Sequence, residues 1–72
     1  MSQSIKLLDV VALTETLPER KLHRGQVGTV VEKLDPDVFE VEFSDNDGRT
    51  FSTLALKTNQ LMVLHYQPLE AA

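Results

Sequence analysis

From Val38 to Phe43 the chain alternates without a break: Phe39, Val41 and Phe43 on one parity, Glu40 and Glu42 on the other. That two-residue period predicts a strand with one buried and one wet face. Leu8 to Leu13 predicts another strand, with Val11 and Leu13 sharing a face with Asp9 and with Val10 and Ala12 on the opposite face. Both of its faces are apolar, as expected of a strand inside a sheet rather than at its edge. Gln26 to Leu34 reads as a strand whose alternation is broken by Val27, Val30 and Val31. A bulge at Gly28 would switch the inward face there. Arg49 to Leu56, anchored by Phe51, and the short Leu61 to Leu64 complete a set of five strands.

The segments between them carry turn chemistry. Gly25 and Gly28 stand three apart, one suited to a turn with positive φ and the other to a bulge or a close backbone approach. Asp35-Pro36-Asp37 predicts a tight turn, because proline presets φ and aspartate accepts from nearby amides. Asp45-Asn46-Asp47-Gly48 predicts a hairpin loop, and Lys57 to Gln60 a single 3-10 turn. Thr14 to Arg24 contains Pro18, mixed charge and no period, so it reads as one long irregular loop packed down by Leu17 and Leu22.

These elements describe an all-β domain, a small SH3-like five-stranded barrel with one long loop and a 3-10 turn before the last strand. The domain is expected over residues 5–66, with flexible termini at 1–4 and 67–72. Its expected core is Val11, Leu13, Val30, Phe39, Val41, Phe43, Phe51 and Leu61.

Length and composition narrow the picture further. A chain of 72 residues buries roughly 60% of its unfolded surface and builds a marginal core. It has no cysteine, so neither disulfides nor thiolate zinc can reinforce that core, and association with another chain gains weight. No apolar run approaches a membrane span and the N-terminus has no signal-like apolar region, so a cytoplasmic protein is expected. Seven basic residues against eleven acidic ones give a net charge of −4. That balance argues against a surface that neutralises phosphate. The carboxylates from Asp35 to Asp47 follow one another without an intervening base, whereas Arg20, Lys21, His23 and Arg24 cluster upstream.

The chemistry-bearing patterns do not converge. His23 and His65 are the only histidines, and neither sits in a hydrolase or metalloprotease motif. The Asp45–Asp47 pair serves turn amides better than calcium, since Arg49 follows where further oxygen ligands would be needed. No lysine and hydroxyl residue follow the glycines as a phosphate loop requires. Four aromatic residues without tryptophan are too few for a base-stacking groove, a polyproline groove or a methyl-lysine cage. No catalytic, cofactor-binding or metal-binding residue is assigned, and no small-molecule ligand, nucleic acid or membrane is expected.

The chain resembles DUF4926, a family of small bacterial proteins of unknown function. The resemblance rests on Leu8-Asp9-Val10-Val11-Ala12-Leu13, on the run from Leu22 through Gly25-Gln26-Val27-Gly28-Thr29-Val30-Val31 to Glu32, on Val41-Glu42-Phe43-Ser44-Asp45 with Gly48-Arg49-Thr50, and on Gln60-Leu61. It implies an SH3-like fold and no activity.

Elimination leaves a non-catalytic protein-interaction module, an accessory or regulatory subunit of an unidentified protein partner or of a second copy of itself. Two alternatives stand beside it: a KOW-like nucleic-acid or ribosome-associated module using Arg20, Lys21, Arg24 and Lys33, and an acidic antitoxin-like partner of a basic protein. The expected contact residues are Leu17, Arg20, Leu22 and Arg24 in the long loop, where apolar anchors alternate with forked donors. The acidic sheet face of Glu40 and Glu42 is the other candidate.

Overall fold

The structure, a computed structural model, describes residues 4–69, and its strands fall close to where the two-residue period puts them. Strands β1 (Val10–Leu13), β2 (Val27–Asp35), β3 (Val38–Ser44), β4 (Thr50–Lys57) and β5 (Leu61–Val63) form one antiparallel sheet in the order β4-β3-β2-β1-β5. The all-β class therefore holds, with 3-10 turns at Pro18–Arg20 and Thr58–Gln60 and no α-helix among the described residues. The second of these turns stands where it was expected, before the last strand. The strand order is compatible with closure into a small barrel. Of the expected flexible termini, residues 1–3 and 70–72 lie outside the described residues.

β1 starts later than its apolar run because Lys6 to Asp9 is a turn. The Lys6 amide donates to Asp9 Oδ2 at 2.9 Å and the Asp9 amide donates back to the Lys6 carbonyl at 3.1 Å. Leu8 takes φ of 71° there, unusual for a bulky side chain, and stands exposed beside Leu7. As its two apolar faces imply, β1 lies inside the sheet between β2 and β5.

The core forms on one face of the sheet. Val11 pairs with Gly28, Gly28 with Phe43 and Phe43 with Ser52, and the next inward row runs Val30, Val41, Leu54. Seven of the eight expected core residues are buried, joined by Leu17, Leu22, Leu54 and Leu56. Phe51 is the correction: it is 49% exposed. Leu54 and Leu56 set the inward parity of β4, which puts residue 51 outward. The ladder passes from Phe43–Ser52 to Ser44–Thr50, so Phe51 is also the extra residue of a bulge.

Gly28 needs a second correction. It pairs regularly on both sides, and the register of β2 shifts instead between Val30 and Glu32 and again between Lys33 and Asp35. The bulged residues are Val31 and Leu34. Gly28 is instead a close approach, its missing side chain leaving room for Val41 and Phe43, while Gly25 supplies the turn with φ of 89°.

The long loop is more ordered than its sequence suggests. Leu17 and Leu22 exchange backbone hydrogen bonds of 2.9 and 3.1 Å, closing a small hairpin over the first 3-10 turn, and Lys21 completes it in the left-handed conformation. Thr14 Oγ1 donates to the Asn59 carbonyl and Gln60 Nε2 to Glu15 Oε2, so the start of the loop is tied to the second 3-10 turn.

Candidate functional site: the outer face of the sheet

The expected contact residues separate into two groups. Leu17 and Leu22 are buried and belong to the core cluster, so their side chains hold the loop onto the sheet and present no docking surface. Arg20 and Arg24 are exposed, as is Lys21 between them. Lys33, grouped with these cations in the nucleic-acid alternative, lies six residues beyond Val27 along β2, roughly 20 Å by strand rise. It lines an open cleft of about 230 Å³ with Ile5, Asp37, Phe39 and Thr58. The Thr58 hydroxyl is already engaged there, donating to the Asp37 carbonyl at 3.3 Å.

The paired carboxylates of the hairpin are used locally. Asp45 Oδ1 accepts from the amides of Asp47 and Arg49 at 2.9 and 3.0 Å, and Gly48 turns the chain with φ of 80°. Among the described residues no group of three or more His, Cys, Asp or Glu is arranged to hold a metal ion, and no helix is long and apolar enough to cross a membrane.

The least ordinary surface is the face of the sheet turned away from the core. Ala12 pairs with Val27 on one side and with Met62 on the other. Ala12 is only 4% exposed yet stands outside the core cluster, because it is shaded between those two neighbours on the opposite face. Val27 and Met62 are themselves 48% and 52% exposed. One row further along, Val10 is half-buried, flanked by Thr29 across the ladder and by Leu64, whose amide donates to the Val10 carbonyl. The outer surface of β5, β1 and β2 is thus an apolar strip, of the kind that marks an interaction surface when it is contiguous.

Carboxylates border the strip on its β3 side. Glu42 pairs with Thr29, and Glu40 pairs with Glu32 across β2 and with Ala55 across β4. Glu32, Glu40 and Glu42 form no ion pair or side-chain hydrogen bond among the described residues. Like charges directly opposite on neighbouring strands are destabilising, so folding alone gives no reason for the Glu32–Glu40 pairing.

The sequence pointed to Glu40 and Glu42 as an acidic face but missed Val27, Met62 and Glu32. The signal for the first two was the apolar character of both faces of Leu8 to Leu13: a strand inside the sheet needs cover on each side, and only one side has a core. Glu32 had no such signal, since its place depends on the bulge at Val31.

The model of a domain of unknown function, DUF4926, matches residues 7–63. The chain belongs to this family. No curated protein matches it, and neither does any solved structure.

Proposed function

We propose that this member of the DUF4926 family is a non-catalytic protein-interaction module, an accessory or regulatory subunit that docks on a partner protein through the outer face of β5, β1 and β2. The observation that carries this reading is the exposed strip of Val27 and Met62 around the shaded Ala12, opposite the core. A domain this small gains stability from any partner that binds only its folded state. A cytoplasmic setting goes with a chain that has no cysteine.

The test is capture of a partner from native cell extract with a tagged copy. Val27→Asp with Met62→Asp should abolish capture, because each puts a charge into a contact that must lose its water. Arg20→Ala with Arg24→Ala should leave it intact. The reverse outcome would move the site to the loop between β1 and β2.

A further inference from the structure

The bulge at Val31 decides which charges share the outer face. Up to Val30–Val41 the β2–β3 ladder is regular, and continued without a break it would set Val31 across from Glu40 and Glu32 across from Phe39. The extra residue moves Glu32 opposite Glu40 and Lys33 opposite Phe39. Lys33 consequently lines the cleft beside Phe39, away from the outer carboxylates. A single inserted residue thus brings an anion next to Glu40 and removes Lys33 from the place diagonal to it that an unbroken register would give, leaving Lys57 on the β4 side. Bulges re-aim side chains in this way where a surface has a task.

We infer that the partner segment docking on this face is a basic amphipathic helix, its apolar flank on Val10, Val27 and Met62 and its lysines or arginines against Glu32, Glu40 and Glu42. This deepens the proposed interaction role and rests on it. Charge complementarity supplies the sign: three carboxylates that form no ion pair border an apolar strip on a chain of net charge −4, and Lys57, a cation on the same face, lies on β4, the strand farthest from that strip. Dimensions and layering supply the helix. The strip from β5 to β3 spans three strand spacings, about 14 Å, close to the ~10–12 Å diameter of a helix with its side chains. A sheet face, unlike a sheet edge, buries its apolar side chains against a second layer. The same carboxylates would repel nucleic acid and anionic lipid.

The inference is tested with a labelled synthetic helical peptide carrying leucine on one face and lysine on the other, titrated into the full chain at about 0.15 M salt. The wild-type protein should bind it, and a peptide with glutamate in place of lysine should not bind. Glu32→Gln with Glu40→Gln and Glu42→Gln should weaken binding about tenfold or more. Glu19→Gln with Asp37→Asn and Asp47→Asn, an equal change of net charge on turns away from the outer face, should have less than about a twofold effect. Equal weakening by both sets would reduce the effect to net charge and overturn the inference. If Val27→Ser with Met62→Ser abolishes binding while Glu32→Gln with Glu40→Gln and Glu42→Gln leaves it unchanged, the docking face stands and its basic partner falls. If no variant on the outer face changes binding, the proposed function falls with it. A dimer in sedimentation that Val27→Ser with Met62→Ser dissociates would assign the face to a second copy and likewise overturn the basic partner.

Discussion

Gly28 lies against the Phe43 ring with no room for a methyl group: a Cβ built there would come within 2.9 Å of two ring carbons, and within 2.7 Å of Val41 Cγ1. Both neighbours are fully buried, so neither has a free direction in which to move. The glycine is set by space, since its φ is not positive. Gly28→Ala should therefore cost about 1–3 kcal/mol through overpacking, and Gly28→Val more. In a domain of this size each kcal/mol lowers Tm by about 4–8 °C. A thermal melt of Gly28→Ala coincident with wild type would show that the close approach is not tight.

Two phenylalanines eight residues apart should give opposite results. Phe43 is fully buried on the inward row, and Phe43→Ala should cost about 3–5 kcal/mol, enough to unfold a marginal domain. Phe51 sits half-exposed on an outward bulge, and Phe51→Ser should change stability by no more than about 0.5 kcal/mol. Denaturant unfolding of the two variants decides it. A Phe51→Ser protein as damaged as Phe43→Ala would restore Phe51 to the core.

That contrast shows how far the sequence could be read. Alternation places a strand and its faces wherever the period is clean, and from Val38 to Phe43 every inward residue was legible. The fourth strand was equally legible in existence, but its largest residue drew attention away from the parity set by Leu54 and Leu56. Bulges leave no reliable mark in composition: a valine at 31 and a leucine at 34 carry them, while the glycine at 28 that looked like one does not. The candidate site inherits the difficulty. Val10 and Ala12 announced a second apolar face, but the Glu32–Glu40 pairing emerges only once the register is known.

Within the loop, Leu22 and the arginines should part company. Leu22 is buried and fixes the small hairpin against the core, so Leu22→Ala should cost about 2–5 kcal/mol. Arg20→Ala with Arg24→Ala, on exposed side chains, should leave Tm close to wild type. Arg24 holds its place by its backbone amide, which donates to Thr16 Oγ1 at 3.0 Å and survives the substitution. A large loss of Tm in the double arginine variant would show that the loop is held by its charges.

The Glu32–Glu40 pairing makes the last prediction, one that requires no partner. Two carboxylates directly opposite across β2 and β3 repel, and Lys57, on the same face opposite Val38, stands diagonal to Glu40 but two strands away from Glu32. Replacing one should stabilise the free protein. Glu32→Gln removes the repulsion, and Glu32→Lys replaces it with attraction to Glu40, so the gain should rise in that order, reaching about 0.2–1 kcal/mol for an exchange of cross-strand pairs. Both gains should shrink as salt is raised, since exposed charges are screened over about 10 Å at 0.1 M ionic strength and about 3 Å at 1 M. Propensity is neutral in the exchange to lysine, because glutamate and lysine are both poor strand formers. A higher Tm at low salt must therefore come from the charge. If Glu32→Lys melts at or below wild type at low salt, the two carboxylates do not feel each other, and the case for a surface held ready for a basic partner loses its energetic footing.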